Sequence, residues 1–423
     1  MLRQQIRPFD DEKTKPNKPK FTRHSVWRAK PTCGEQSRTI CSELTRMAGK
    51  IVPLFRVSFT LMGSASGGFK RQADKFFRII LQFWGVSGKI IRIIVQFPWK
   101  GATPMVILAG IDEAGFGPIL GPLVVSSSVF SLPNNFLTAD LWQILRKSVA
   151  NQRKHLAGRL LITDSKKAYS KQKGIGHLQR TVLACLECLG KKPTTLTELL
   201  TLLSPDCIER LNDYPWHRNI ADCRISIDAS DMAIASSVLK EDLASSGIEL
   251  LELKSCCLDV AYYNKMVGSV KNKASILFTA VSQLIKNVFD NFAGDYLQVI
   301  IDRQGGRTRY RRSLERMFPD MELKILLEGP AASSYELKAN GRQMRLHFVV
   351  AADQRFFPVS LASMVSKYLR ELLVDNINRY FTGFLPDLKP TAGYWKDGLR
   401  FIDDLKKNIP HVSFDSNQLI RCR

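Results

Sequence analysis

The sequence turns polar between two apolar runs, 105–109 and 121–130, at the segment Gly110-Ile111-Asp112-Glu113-Ala114-Gly115-Phe116-Gly117-Pro118. This pattern predicts a buried strand that turns into a second strand. Successive side chains on a strand point to opposite faces, so Asp112 and Glu113 can share a site only where the strand ends. The glycines and the proline that follow provide such an end. Two adjacent carboxylates in this position suit a metal site, and a polar hairpin turn is the alternative.

Length, charge and cysteine content limit the classes of protein. A chain of 423 residues, 45% of them hydrophobic, is long enough for two or three domains with at least one sizeable core. The net charge of +23 favours a polyanionic partner, nucleic acid in first place, although an acidic membrane surface fits the same charge. Nine cysteines, an odd number, favour reduced thiols. Cys185 and Cys188 have no second Cys/His pair at ligand spacing, which argues against zinc.

The N-terminal region, residues 1–104, is the most basic part of the chain, with 20 Lys and Arg against 6 Asp and Glu. Residues 1–50 lack hydrophobic periodicity and are predicted to be disordered. Residues 51–98 resemble basic amphipathic segments, for which a membrane-surface or nucleic-acid arm and a targeting presequence are alternatives. The third alternative is that translation begins at Met105, so that 1–104 are a mis-assigned extension. No candidate site residue lies in this region, and we expect catalysis not to need it.

Two further apolar runs end in carboxylates. The run 296–301 is the clearest central strand of the chain and ends in Asp302, and Asp353 closes the run 346–352. Open α/β sheets place their chemistry at the carboxyl ends of strands, although a capping aspartate is an equally ordinary reading of each position. A third run, 160–163, leads into Asp-Ser-Lys-Lys at 164–167, where Lys166 and Lys167 can neutralise backbone phosphates.

The segment 110–118 resembles, nearly letter for letter, the Gly-Ile-Asp-Glu-Ala-Gly-Arg-Gly-Pro signature of the ribonuclease HII (type 2 ribonuclease H) family. Phe116 stands where the family has arginine. The residues 358–370 resemble the family's Ile-Ser-Ala-Ala-Ser-Ile-Leu-Ala-Lys-Val-x-Arg helix, and counting back seven residues from Ser360 gives Asp353, where the family has its fourth carboxylate. Gly393-Tyr394 is similar to the family's C-terminal Gly-Tyr segment.

The resemblance implies an endonuclease that cleaves the RNA strand of RNA–DNA hybrids, or of ribonucleotide-containing DNA, and leaves 3′-hydroxyl and 5′-phosphate ends. It implies catalytic and metal-ligating roles for Asp112, Glu113, Asp302 and Asp353. Such hard oxygen ligands suit Mg²⁺ or Mn²⁺, and two ions can activate water and stabilise the leaving oxygen. The residues implied to bind substrate are Gly115, Phe116, Gly117, Lys166, Lys167, Ser360, Lys367 and Tyr394.

The implied fold class is α/β, a ribonuclease H-like mixed sheet flanked by helices with a small helical C-terminal part. The catalytic domain is expected at 105–405, with an insertion at about 170–247 and a C-terminal tail at 406–423. No apolar run reaches the ~20 residues that cross a bilayer, and we expect a cytoplasmic monomer. The rival hypothesis is a non-catalytic or altered-specificity nucleic-acid-binding module, favoured by Phe116 and by Arg303 and Gln304 in the loop after Asp302.

Overall fold

A computed structural model of the chain describes residues 105–169, 174–226, 228–294 and 296–422. The predicted N-terminal extension, 1–104, therefore lies outside the described residues. The expectations about its order and its possible roles stay predictions.

A seven-stranded mixed sheet forms the centre of the fold, in the strand order β5-β2-β1-β6-β9-β8-β7. Its strands are β1 (Met105–Ala114), β2 (Leu123–Pro133), β5 (Glu249–Leu258), β6 (Leu297–Asp302), β7 (Glu322–Glu328), β8 (Ala332–Ala339) and β9 (Arg342–Val349). Two short parallel strands, β3 (Val149–Ala150) and β4 (Leu160–Leu161), form a separate small sheet. The predicted hairpin is confirmed, because β1 pairs antiparallel with β2.

The three central strands β1, β6 and β9 run parallel to one another, whereas β2, β5, β8 and β7 pair antiparallel with their neighbours. Parallel neighbours end at the same edge of a sheet. Both faces of the central strands are buried, which explains their nearly continuous apolar sequences.

Helices cover both faces of the sheet. They are α1 (Leu141–Ile144), α2 (Ser165–Ala168), α3 (Gly176–Cys188), α4 (Leu196–Leu203), α5 (Ile208–Leu211), α6 (Ala229–Ser245), α7 (Val260–Val270), α8 (Lys273–Phe292), α9 (Arg311–Met317), α10 (Phe357–Thr382), α11 (Trp395–Asn408) and α12 (Ser416–Leu419). Helix α10 packs in one hydrophobic core, and α7 and α8 pack in a second one that contains Ile111, Val299 and Leu346. The predicted mixed sheet, flanked by helices and followed by a small helical part, is confirmed.

Two boundaries are set by details of the structure. Helices α7 and α8 are separate, because Lys271 ends α7 in a left-handed conformation with φ 55°. The C-terminal tail expected from 406 begins inside α11, and its end returns to the sheet, where Ile420 forms an antiparallel bridge with Leu120. The last described residues therefore form part of the folded unit.

The region predicted as an insertion, 170–247, contributes α3 to α6 and packs on the same side as α10. Buried side chains such as Leu178, Val182 and Leu239 belong to the core that α10 shares. The hydroxyl of Thr181 donates to the carbonyl of Leu161 at 2.8 Å, and Asp242 accepts hydrogen bonds from the backbone and the hydroxyl of Ser148. This region is thus joined to the small sheet of β3 and β4 through buried polar contacts as well as through apolar packing.

Helix α10 approaches β1 most closely at Gly110. A Cβ atom at this position would lie 2.2 Å from the carbonyl carbon of Pro358 and 2.3 Å from the backbone nitrogen of Val359. Because the contacted atoms are backbone, they cannot move aside as a flexible side chain would. Only glycine fits here, and the close contact sets the height of α10 above the strand that carries Asp112.

We expect Gly110→Ala to lower the free energy of unfolding by at least about 1–3 kcal/mol, since overpacking forces backbone to shift. Gly117→Ala is the matched control, because a Cβ atom at Gly117 meets nothing within 4 Å. Urea unfolding of both variants and of the wild type measures the difference. Equal losses in the two variants would contradict the close contact at Gly110.

Candidate functional site

The four predicted carboxylates meet at one edge of the sheet. Asp112 and Glu113 lie at the end of β1, and Asp302 is the last residue of β6. Asp353 lies in the short 3-10 turn that follows β9. Since β1, β6 and β9 are parallel neighbours, their carboxyl ends bring these side chains together. We call Asp112, Glu113, Asp302 and Asp353 the acid cluster.

Burial raises the pKa values of all four members of the acid cluster, and repulsion by neighbouring carboxylates adds to it for Asp112, Glu113 and Asp353. Burial, then the charges of Glu113 and Asp302, raise the pKa of the Asp112 carboxyl well above its ordinary value. Burial and the charge of Asp302 raise the pKa of Glu113 to about 8. Burial raises the pKa of Asp302, and burial together with neighbouring carboxylates raises that of Asp353 to about 6. Nearby positive charge would relieve this repulsion.

Backbone amides hold two of the carboxylates in place. Asp112 accepts a hydrogen bond of 2.7 Å from the amide of Glu113, and Asp302 accepts one of 2.6 Å from the amide of Ala352. In the described part of the chain, no group of three or more His, Cys, Asp or Glu side chains is already arranged as a metal-ligand set. The chemistry of the donors, four clustered carboxyl groups, nevertheless fits a hard divalent cation, which would require these side chains to turn toward one another.

Three serines of α10 support the acid cluster from below, at the helical spacing 360, 363 and 366. Ser360 is buried and its hydroxyl donates to the carbonyl of Asp353. The hydroxyl of Ser363 donates to the hydroxyl of Ser165 at 3.0 Å, and its polarity beside Asp112 opposes the rise of the Asp112 pKa. Ser366 donates to the carbonyl of Asp112 at 2.9 Å. Ser360, predicted to bind substrate, thus lies under Asp353 and positions it.

A fifth carboxylate, Asp164, lies beside Asp353, and the sequence reasoning did not assign it to the site. It caps α2 by accepting from the amide of Lys166 at 2.9 Å, and it lies 3.4 Å from the side-chain nitrogen of Gln354. Its charge and a hydrogen bond help to raise the pKa of Asp353. An aspartate before Ser-Lys-Lys at the end of an apolar run was the available signal, but it fits an ordinary helix cap equally well.

Of the two adjacent lysines, Lys166 points its charge toward the acids. It lowers the pKa values of Glu113, Asp302 and Asp353, against the effect of burial. Lys167 lines a cavity of about 410 Å³ together with Asp353. The structure therefore brings both predicted lysines near Asp353, Lys166 through its charge and Lys167 through the cavity that the two residues line.

Lys367 and Tyr394 belong to a second group of side chains under the segment 110–118. The Lys367 ammonium is paired with Glu371 at 2.6 Å and lies 4.7 Å from the centre of the Tyr169 ring. Tyr394 is half exposed, and the guanidinium of Arg370 lies 5.9 Å from its ring centre. Lys367 is thus engaged in a buried ion pair, whereas the ring of Tyr394 is open to the surface.

Arg370 connects this group to the glycine-rich turn. It donates to Glu371 at 3.0 Å and to the carbonyl of Ala392 at 2.9 Å. Gly115 has φ 96°, and a Cβ atom there would lie 2.8 Å from the Arg370 side chain. Glycine at 115 is therefore needed twice, for its left-handed backbone and for the space that Arg370 occupies. Sequence reasoning noted Arg370 only as part of a helix motif.

Phe116 and Gly117 lie on the outer side of the turn. The ring of Phe116 is partly buried against the core that contains α8, and the Lys273 ammonium lies 5.3 Å from its centre. Gly117 has open space above it. A cation therefore stands beside Phe116, although position 116 itself carries none.

Solved ribonucleases H have similar structures. The chain aligns with the ribonuclease HII of a PCNA complex from Archaeoglobus fulgidus at 18% identity and TM-score 0.37, covering 75% of this chain and 95% of that one. For the ribonuclease H2 of Pyrococcus horikoshii the values are 13% identity, TM-score 0.33, and 74% and 92% coverage. For Bst-RNase HIII in complex with Mn²⁺ the identity is 13% and the TM-score 0.33, and the alignment covers 75% of this chain and 66% of that one.

At TM-scores below 0.5 and identities below 25%, these alignments carry no argument about the fold family or the activity of this chain. No family model matches the chain, and no curated protein matches it significantly. Among the described residues, no helix has both the length and the apolar character needed to cross a membrane.

The raised pKa values predict a pH-dependent stability. Because burial and the charge of Asp302 raise the pKa of Glu113 to about 8 in the folded protein, and the unfolded chain releases the proton near the ordinary value of 4.5, stability is present at low pH and is lost as pH rises between these values. In chelator, we expect the free energy of unfolding to fall on the order of 1–3 kcal/mol between pH 5 and 8. Urea unfolding at several pH values measures this fall.

Glu113→Gln should flatten this pH dependence, because it removes one of the titrating groups. The matched control is Asp231→Asn, since Asp231 is an exposed carboxylate paired with Arg180 and its pKa is lowered. This control should keep the slope of the wild type. A wild type whose stability is constant from pH 5 to 8 would show that the acid cluster is not strained by repulsion.

Proposed function

We propose that this chain is a metal-dependent endonuclease that hydrolyses the RNA strand of RNA–DNA hybrids, leaving 3′-hydroxyl and 5′-phosphate ends. The observation that carries the proposal is the acid cluster, in which four carboxyl groups meet where three parallel strands end and burial raises the pKa of each of them. A purely structural role gives no reason to hold four carboxyl groups together at the cost of desolvation and repulsion.

Asp112, Glu113, Asp302 and Asp353 are the residues that would hold Mg²⁺ or Mn²⁺. When bound, such ions activate water and stabilise charge on phosphate oxygens. Ser366 and Ser360 hold the backbone carbonyls of Asp112 and Asp353, so that the backbone that carries these ligands keeps its position while their carboxyl groups turn. A fixed backbone lowers the reorganisation needed at the moment of reaction.

The cations of the site are arranged to bind the substrate backbone. Lys166 faces the acid cluster and can contact the phosphate next to the bond that is cleaved. Gly117 leaves open space where a sugar can approach the turn, and the exposed ring of Tyr394 offers a surface for stacking or for a hydroxyl contact. We propose that the 2′-hydroxyl, which distinguishes RNA from DNA, is recognised near Gly117 and Tyr394.

One observation favours the non-catalytic alternative. The carboxylates of Asp112 and Asp302 accept hydrogen bonds from backbone amides, so the ligand set is not preformed. A protein that binds hybrid tightly, without turnover and without sensitivity to chelators, would fit that alternative.

We expect the wild type to cleave a labelled RNA–DNA hybrid in Mg²⁺ or Mn²⁺ and not in chelator, and Asp112→Asn to lower the rate at least about 100-fold, as loss of one preorganised charged group does. Asp231→Asn, which alters a carboxylate outside the acid cluster, should retain the wild-type rate. Single-turnover rates on one substrate make the comparison. Absence of metal-dependent cleavage by the wild type, or equal rates for wild type and Asp112→Asn, would refute the proposed activity.

Substrate preference depends on Phe116, whose ring can stack on a base or sugar but cannot pair with phosphate oxygens. We expect cleavage within continuous RNA–DNA hybrids to survive, while the preference for a single ribonucleotide embedded in duplex DNA is weakened. Phe116→Arg should raise the ratio of kcat/KM for the single-ribonucleotide substrate over the hybrid by about tenfold, as one charge-assisted hydrogen bond of ~1.5 kcal/mol implies. Tyr394→Phe should lower the same ratio if the hydroxyl makes the contact. If the kcat/KM ratio of Phe116→Arg equals that of the wild type, position 116 does not contribute to substrate preference.

A further inference from the structure

A cavity of about 310 Å³ lies on the outer side of the segment 110–118, away from the acid cluster. Phe116, Gly117, Tyr263, Lys273 and Arg421 are among its lining residues, and no carboxylate side chain is. The lining thus joins the glycine-rich turn, the start of α8 and the end of the C-terminal segment. We call it the Lys273 cavity.

Arg421 is a buried cation, and no acidic side chain among the described residues pairs with it. Its side chain is 3% exposed, and its Nη2 atom donates to the carbonyls of Gly115 and Pro118. Its guanidinium lies 5.0 Å from the centre of the Tyr263 ring. Its Nε and Nη1 atoms are buried and have no hydrogen-bond partner among the described residues.

Burying a guanidinium without a neighbouring negative charge costs free energy. Burial lowers the pKa of Arg421 to about 10, and the charge of Arg370 adds to the effect. A buried charge normally requires an opposite charge close by. The described surroundings of Arg421 lack one, and an anion in the cavity that it lines would provide it.

Lys273 adds a second cation at the same cavity. It is the first residue of the 20-residue helix α8, and the ring of Phe116 faces its ammonium at 5.3 Å. The amino end of a helix carries a partial positive charge, although the side chain of Asn272 already accepts from the amides of Ala274 and Ser275. The anion would therefore meet the lysine rather than those amides.

The positive surface continues beyond the cavity. A neighbouring cavity of about 580 Å³ shares Lys273 and Cys422 with it, includes Lys271, and likewise has no carboxylate side chain in its lining. Two adjoining depressions with lysines and without carboxylates make a path for a polyanion that begins at the glycine-rich turn.

From these observations we infer that the Lys273 cavity binds a phosphate group of the nucleic-acid backbone, at a phosphate other than the one at the acid cluster. The inference rests on the proposed function for the source of the phosphate. In this site the Lys273 ammonium would contact the phosphate, and the ring of Phe116 would hold that ammonium in position. The buried guanidinium of Arg421 would add a fixed positive charge. Free inorganic phosphate has the same chemistry and is the other source to be tested.

The test compares Lys273→Gln with Lys286→Gln, a matched change on the same helix, 13 residues away and so about 20 Å along α8. Binding of a fluorescent RNA–DNA hybrid is measured by anisotropy in chelator over a series of salt concentrations. We expect Lys273→Gln to weaken binding about three- to tenfold at low salt and to reduce the slope of log affinity against log salt by about 1, as loss of one phosphate contact does. Lys286→Gln and Lys273→Arg should match the wild type.

A second measurement separates this inference from the proposed activity. Thermal unfolding with and without inorganic phosphate tests the cavity alone, and a rise of Tm in the wild type that is lost in Lys273→Gln supports it whether or not the protein cleaves hybrid. If hybrid binds but Lys273→Gln has the affinity and salt slope of the wild type, the inference is overturned even though cleavage persists. If hybrid does not bind, the proposed function fails, and a phosphate-induced rise of Tm then assigns the cavity to free phosphate, whereas no rise overturns the inference.

Discussion

Repulsion among buried carboxyl groups is the constraint on which the rest of this structure depends. The acid cluster lies where β1, β6 and β9 end together; burial raises the pKa of every member, and neighbouring carboxylate charges raise those of Asp112, Glu113 and Asp353 further. A flexible surface would let such groups move apart into water. Here strand ends, backbone amides and a long helix hold them, so the free energy needed to keep them together comes from the hydrophobic packing of the two cores.

Helix α10 makes most of the contacts described above that hold the acid cluster in place. Its contact with β1 at Gly110 is so close that no Cβ atom fits, and this height lets three serines reach the acids. Ser360 and Ser366 hold backbone carbonyls of Asp353 and Asp112, while Ser363 contacts the Asp112 carboxyl. One face of α10 thus positions both Asp112 and Asp353, which lie far apart in the sequence.

The segment 110–118 separates two regions of opposite charge. On its inner side lie the carboxylates with Lys166, and on its outer side lie Lys273 and Arg421 without carboxylate side chains lining their cavity. Arg421 reaches this place because Ile420 pairs with Leu120 and the amide of Arg421 donates to the carbonyl of Ile119 at 2.8 Å. The C-terminal segment therefore contributes to the electrostatics of the turn, which a reading of it as a tail did not anticipate.

The sequence by itself determined the hairpin, the central strand that ends in Asp302 and the positions of the four carboxylates, because alternation and apolar runs record which strands are buried. It could not determine that Asp164 joins Asp353, that Ser360 turns under the acids, or that Lys273 stands at the ring of Phe116. The contacts of Asp164 with Asp353 and of Lys273 with Phe116 join residues 189 and 157 positions apart, and Ser360 lies seven residues after the Asp353 that it contacts. Only the packing of α10 and α8 on opposite sides of the sheet decides them, since side-chain neighbours across a fold depend on the direction and height of whole elements, which local sequence patterns do not encode.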